Sequence, residues 1–375
     1  MTAFFFYGTL CHPPLLSAVL GREAVLQPAA LEDHASYWAA GQAFPLIREE
    51  RGGRALGVLA EGLSAEEVAR LDYYEAGFAY ATRDVAVEAD GRRVSARVYF
   101  PDPGAHEPGP AWDLADWAAR HGAAASQAAA HFMGGFGRIP QAEAHRRYHA
   151  TLAAAGAAVR AQAAPPTELR RRAAPDDLAV LAAEEPYARF FAVREYDLVH
   201  RRFDGDMSAP LHRAVFSSGD AAVVLPYDPA RDRVLLIEQF RAGPFGRGDP
   251  QPWTLEAVAG RIDPGETPEE AARREAMEEA GLVLGRLERA GEYYPSPGML
   301  AEYLYTFVGL ADLPDAAAGF GGLHEEQEDI RVHILPFPRL MELVASGEVQ
   351  AGPLLIATYW LALNRERIRL QAAAG

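Results

Sequence analysis

Three glutamates, Glu275, Glu278 and Glu279, stand at i, i+3 and i+4 of a segment that reads as a helix. Thr267 suits the N-cap, Pro268 the first helical position, and Glu270 completes a capping box. Gly281 suits the left-handed position that ends a helix. The helix is therefore expected over 268–280, with all three carboxylates on one face. Neighbouring like charges there repel by roughly a few tenths of a kcal/mol per pair. Arg274 relieves part of that repulsion. A hard divalent cation relieves more, because Mg²⁺ prefers carboxylate oxygens and retained waters. Gly260 and Gly265 in the preceding loop let the backbone pass close to the helix. A carbonyl such as that of Ala259 is then available as a further ligand.

An ordinary solvated acidic helix is the competing reading of three clustered glutamates, and the wider spacing decides against it. Gly260, five residues, Glu266, seven residues, Arg274-Glu275, two residues, Glu278-Glu279, one residue and Gly281 resemble the Nudix box at every fixed position. Small Ala276 fills the aliphatic slot. The resemblance runs further. Residues 190–375 resemble the ADP-ribose pyrophosphatase branch of that family, through Glu238-Gln239-Phe240-Arg241, Pro252-Trp253-Thr254-Leu255-Glu256 and Ser296-Pro297-Gly298. Pro297 fills the place of a proline that marks ADP-ribose preference. The acidic loop Glu325-Glu326-Gln327-Glu328-Asp329 is similar to the one that brings the base in that branch.

The resemblance implies roles. Glu275 and Glu279, with the Ala259 carbonyl and Glu328, would bind Mg²⁺, or Mn²⁺ in its place. Glu278 would bind metal or tune the catalytic site, and Glu326 would be the general base. Arg241, Glu256 and Ser296 would contact the substrate, ADP-ribose, giving AMP and ribose 5-phosphate. Members of the branch are usually homodimers, and residues 190–216 resemble the segment that crosses to the partner. A homodimer through this domain is expected.

Near the N-terminus, Tyr7-Gly8-Thr9-Leu10 follows a strand-like run, Phe4-Phe5-Phe6. It resembles the signature of the γ-glutamylcyclotransferase-like family, whose strand-end loop offers backbone groups to a γ-glutamyl moiety. Leu71-Asp72-Tyr73-Tyr74-Glu75 resembles the segment with that family's acid/base glutamate, which makes Glu75 the matching residue. Gly57-Val58-Leu59 and Tyr99 also fit, and the likeness covers residues 4–101. One departure stands out. Ala76 intervenes before Gly77, and Tyr80 lies five residues after Glu75, where the family has four. The pairing of the two domains resembles tellurite-resistance protein B-like ADP-ribose pyrophosphatases.

These elements imply an α+β chain in three parts. Residues 1–110 are expected as a γ-glutamylcyclotransferase-like β-barrel-type domain. Residues 111–186 follow as an alanine-rich helical connector, with 167–186 linker-like around one short helix. Residues 187–375 are expected as a Nudix α/β/α sandwich with a mixed sheet. Asp90-Gly91 before the alternating Val94–Phe100 run marks a hairpin. Ala221–Leu225 and Val234–Ile237 read as a second hairpin, of buried strands. An apolar helix is expected near 353–370.

The bulk numbers bound the function. The 375 residues carry a net charge of −16, which argues against a nucleic-acid or anionic-membrane binder. The single cysteine, Cys11, allows no internal disulfide and fits a reducing compartment. No run approaches a membrane span and no leader pattern is present, so a cytoplasmic protein is expected. Three further readings compete with ADP-ribose hydrolysis. One is hydrolysis of another nucleoside diphosphate sugar. The second is nucleotide sensing without turnover, which the intact glutamates oppose. The third is γ-glutamyl cyclotransfer in the N-terminal domain.

Overall fold

The computed structural model describes residues 2–75, 77, 80–163, 166–322 and 328–374. The chain forms two compact units, Met1–Arg171 with Ala188–Phe190, and Arg172–Tyr187 with Phe191–Gly375.

The first unit is a barrel with helices packed on it. Its elements are β1 (Thr2–Phe6), α1 (Pro13–Leu20), β2 (Leu26–Ala39), β3 (Pro45–Leu63), α2 (Ala65–Glu75), β4 (Tyr80–Ala89), β5 (Arg92–Pro101) and β6 (Pro108–Ala111). After the short α3 (Leu114–Trp117) and a π-helical turn at Ala118–Gly122 come α4 (Ala123–Met133) and α5 (Gln141–Arg160). The strands run β3-β1-β5-β4-β2, and β2 pairs back to β3, closing a five-stranded ring to which β6 adds. Strand periodicity explains why Phe4-Phe5-Phe6-Tyr7 is apolar throughout. Phe5 and Tyr7 point into the barrel with Leu31, Leu59 and Val98, while Phe4 and Phe6 point out at the helices. Asp90 (φ 50°) and Gly91 (φ 72°) form the hairpin turn between β4 and β5.

The alanine-rich stretch is not a connector. Ala125, Ala129, Phe132 and Met133 of α4 and Ala144 of α5 belong to the same core as Phe4, Leu15 and Leu71. Alanine hid this role in the sequence, because small residues bury by close helix approach rather than by a stripe of large side chains. The division between units accordingly falls near Arg171 rather than at 186.

The second unit opens with a strand where a linker was expected. A 3-10 turn at Pro175–Asp177 leads into β7 (Leu178–Ala188), which pairs with β8 (Ala192–His200), and β8 with β9 (Leu211–Ser217). Leu178, Val180 and Leu181 of β7 are exposed, so no alternation betrayed it. The main sheet contains β10 (Ala221–Asp228), β11 (Arg233–Phe240), β12 (Trp253–Glu256), β13 (Val258–Arg261), β14 (Leu287–Tyr293), β15 (Leu304–Leu310), β16 (Gly319–Gly321) and β17 (Ile330–Pro336). Its order is β14-β15-β10-β11-β17-β16, with β12 on β11 and β13 on β10; only β10 and β15 among these run parallel. The helices are α6 (Ala242–Arg247), α7 (Pro268–Ala280), α8 (Phe337–Ser346) and α9 (Gly352–Ala374). Leu235 and Ile237 of β11 face α7, and Val234 and Leu236 face α8 and α9. Burial on both faces explains the continuous apolar run and gives the α/β/α sandwich. Among the described residues no helix is long and apolar enough to cross a membrane.

Phe132→Ala tests the place of α4 in the first core. It should cost about 3–5 kcal/mol, whereas a loose connector would lose within about 0.5 kcal/mol. Denaturant unfolding followed by tryptophan fluorescence reads the difference, because Trp38, Trp112 and Trp117 lie in that unit.

Candidate active site

Helix α7 forms where its end signals place it. Thr267 Oγ1 accepts from the Glu270 amide (3.2 Å) and the Glu270 carboxylate accepts from the Thr267 amide (2.8 Å). Gly281 closes the helix at φ 59°, its amide donating to the Met277 carbonyl at 2.9 Å. Ala271, Ala272 and Ala276 are fully buried, so the helix lies tight on the sheet and small Ala276 is a packing requirement.

That close packing drives two carboxylates against β13. A Cβ on Gly260 would stand 1.9 Å from Glu275 Oε1, so only glycine leaves room for the carboxylate. Glu279 is 2% exposed, and its Oε2 accepts from the Ala259 amide at 3.1 Å. Burial, reinforced by Glu275 and Glu328, pushes the Glu279 carboxyl up to about 9. Burial also raises Glu275, to about 7, against the pull of Arg274. Glu328, just before β17, acts on both through its charge. Glu326 lies outside the described residues.

Arg274 organises the outer side of this face. Its Nε and Nη2 donate to the two oxygens of Glu266 (2.8 and 2.9 Å), and Nη2 also donates to the Arg261 carbonyl (2.9 Å). Its Nη1 bridges Glu275 Oε1 (2.7 Å) and Glu278 Oε2 (2.9 Å). Glu266, a fixed position with no role assigned from sequence, is thus the anchor of the arginine. Its spacing within the box was the available signal.

Arg241 and Glu256 meet each other. Arg241 Nε and Nη2 donate to Glu256 at 2.8 and 2.7 Å, and Thr254 Oγ1 donates to the same carboxylate. The charges of Glu279 and Glu328 act on Arg241, which puts the pair beside the glutamate face. Ser296 lies in the loop between β14 and β15. Its carbonyl accepts from Met299 (3.2 Å) and Leu300 (2.9 Å), and the turn is pinned to β9 by Phe216.

Among the described residues, no three acidic, histidine or cysteine side chains converge as a ready-made cation site. The donors nevertheless fit a hard cation. Glu275 and Glu279 offer carboxylate oxygens of the kind such an ion prefers, and burial, with their mutual repulsion on Glu279, holds both above the usual carboxylate range.

The first unit assembles a second acidic site. Glu75 ends α2, and Tyr7, Tyr74, Tyr80, Tyr99 and Tyr148 all sense its charge. Burial pushes its carboxyl up to about 7. Tyr80 donates to the Pro45 carbonyl (2.7 Å) and Tyr99 to Asp72 (2.9 Å). Despite the shifted spacing, Tyr80 faces both Glu75 and Tyr7. Gly8 packs on Pro45, where a Cβ would come within 2.6 Å, and Thr9 and Leu10 begin a 3-10 turn that buries Leu10.

Comparison with known proteins finds a family match for each unit. Residues 218–351 match the NUDIX domain family, and residues 4–119 match the family of γ-glutamyl cyclotransferase, AIG2-like. The ADP-ribose pyrophosphatase of Escherichia coli (strain K12) is 40% identical over 194 residues, covering 52% of this chain and 92% of that protein. The ADP-ribose pyrophosphatase of Haemophilus influenzae is 34% identical over 195 residues, covering 52% and 89%. The GDP-mannose pyrophosphatase of Enterobacter sp. (strain 638) is 36% identical over 152 residues, covering 40% and 78%. The chain belongs to the NUDIX family through its second unit, and its first unit is an AIG2-like domain.

Two outcomes follow from this geometry. Gly260→Ala forces Glu275 off its position, and displacement on the ångström scale should slow hydrolysis about 100-fold or more. Circular dichroism should stay unchanged, and a rate within twofold of the parent would contradict the packing argument. In the first unit, folded Glu75 holds its proton up to about 7, whereas an unfolded glutamate releases it near pH ~4.3. Stability of that unit should fall as pH rises between those values and level off above. Glu75→Gln should therefore raise its melting temperature more at pH 8 than at pH 5; an equal gain at both would contradict the shift.

Proposed function

We propose that the second unit hydrolyses the diphosphate of ADP-ribose to AMP and ribose 5-phosphate. The coarser class, a hydrolase of pyrophosphate bonds, follows from family membership and the pyrophosphatase relatives. The observation that carries the finer reading is the buried glutamate face of α7, set against Gly260 and flanked by the Arg241–Glu256 pair. Glu275, Glu279, Glu328 and the Ala259 carbonyl would hold Mg²⁺ or Mn²⁺. When bound, such an ion supplies neutralisation of the diphosphate charge and a more acidic attacking water. Arg274 would hold Glu275 and Glu278 in place through the hydrogen bonds from its Nη1. Arg241, held flat by Glu256, would present its remaining N–H edge to a phosphate oxygen. Glu326 would take the proton of the attacking water, a role typically worth about 10²–10⁴-fold. Ser296 would line the sugar side, and a homodimer through this unit in the cytoplasm completes the reading.

A second activity has its own observation, the Glu75 carboxyl among five tyrosines beside Tyr7-Gly8-Thr9-Leu10. It fits acid/base work on a γ-glutamyl amine. Glu75 would take a proton from the α-amino group as it attacks the γ-carbonyl, then return it to the departing amine, leaving pyroglutamate.

Product analysis tests the main reading. ADP-ribose and GDP-mannose are incubated separately with the full chain and Mg²⁺, with and without excess chelator. The expected result is AMP and ribose 5-phosphate from ADP-ribose, faster than GDP-mannose is split, and nothing under chelator. Glu279→Gln should lower the rate by several orders of magnitude. Faster release of GMP from GDP-mannose would move the substrate to the alternative, and full turnover under chelator would end the metal scheme.

A further inference from the structure

Helix α2 ends on Glu75, and the last carbonyls of a helix have no partners within it. Here they are taken by a helix beyond the residues that match the AIG2-like family. Gln141 Nε2 donates to the carbonyls of Asp72 (2.6 Å) and Tyr73 (3.0 Å). His145 Nε2 lies 3.1 Å from the Tyr73 carbonyl and, facing an acceptor, carries the ring proton on that side. The Tyr73 hydroxyl donates to the carbonyl of Ile139, just ahead of α5, at 3.0 Å. Further along, the Tyr148 hydroxyl is 3.1 Å from that of Tyr74, the residue before Glu75. Gln141, His145 and Tyr148 stand at i, i+4 and i+7, so one face of α5 runs along the end of α2. Phe132 of α4 backs this face, 4.9 Å from the His145 ring and 5.7 Å from Tyr148.

Gly77 ties this contact to the altered spacing. A Cβ there would fall 2.0 Å from His145 Nδ1, so Gly77 itself packs against the imidazole. The glycine that the family pattern sets next to the glutamate is one residue later here, behind Ala76, and in that place it makes room for His145.

We propose that α5 is the positioning element of the Glu75 site: Gln141, His145 and Tyr148 hold the last turn of α2 so that the carboxyl keeps its place among the tyrosines despite the extra residue after it. The proposal rests on the γ-glutamyl reading of the first unit, and it makes these three positioning residues for that chemistry. The groups that face the carboxyl are Tyr7, Tyr74, Tyr80, Tyr99 and Tyr148, with Asp72 behind Tyr99.

The test is a carboxyl ¹³C NMR titration of the full chain labelled on glutamate, with Glu75→Gln identifying the resonance. The parent should titrate near 7. Gln141→Ala combined with His145→Ala should lower the midpoint by about one unit or more, toward the ordinary ~4.3 of a solvated glutamate. His145→Gln, which keeps an N–H donor, should restore the parent midpoint to within a few tenths. An unmoved midpoint in a folded double variant overturns the proposal. If the double variant does not fold, the two single variants decide: each should shift by about half a unit, and two unmoved midpoints overturn it. Pyroglutamate release from a γ-glutamyl dipeptide is measured separately on the parent. Failure there ends the γ-glutamyl reading, whereas the titration alone judges whether α5 positions Glu75.

Discussion

Two carboxylates buried side by side are the constraint around which the second unit is arranged. Glu279 is almost wholly buried and Glu275 is pressed against a strand, and both resist ionising. An isolated charge in such a place is costly, so neighbouring residues are spent on making it tolerable. Gly260 gives up its side chain to admit Glu275. Ala271, Ala272 and Ala276 bring the helix close enough to the sheet for the Ala259 amide to reach Glu279. Arg274 compensates three carboxylates on the outer side, and Glu266 fixes Arg274 from two directions. On the inner edge the charges of Glu275, Glu279 and Glu328 act on one another. On the proposed function, that is where a hard cation would relieve the most repulsion and where a diphosphate would be drawn.

The first unit meets a related problem. Glu75 also sits at the end of a helix and also holds its proton. Phenols surround it, and the helix that bears it is closed by side chains from α5. The two solutions suit different chemistry. A face of clustered carboxylates suits a metal and an anionic substrate. A single carboxyl poised near neutrality suits proton transfer to and fro.

Much of this was legible in the sequence because local signals and site residues coincide. Thr267, Pro268, Glu270 and Gly281 mark the ends of α7, and the spacing from Gly260 to Gly281 marks its chemistry. Asp90-Gly91 and the buried runs of β10 and β11 were equally plain. What escaped notice depended on tertiary contact. Alanines in α4 and α5 gave no amphipathic stripe, yet they help fill the core and bring His145 and Tyr148 to Tyr73 and Tyr74 at the end of α2. The exposed apolar residues of β7 carried no period, so a strand read as linker. Arg241 and Glu256 were each picked out as substrate contacts, but that they grip each other follows from cross-strand pairing of β11 with β12.

On the proposed function, Glu275, Glu279 and Glu328 hold a divalent cation at the inner edge of α7. Isothermal titration calorimetry of the full chain with MgCl₂ or MnCl₂, without substrate, tests it most directly. Saturable binding is predicted for the parent, and its loss in Glu275→Gln and Glu279→Gln at unchanged circular dichroism. Glu75→Gln should bind as the parent does. Binding of equal strength in the Glu279→Gln variant, or none in the parent at millimolar metal, would contradict the account.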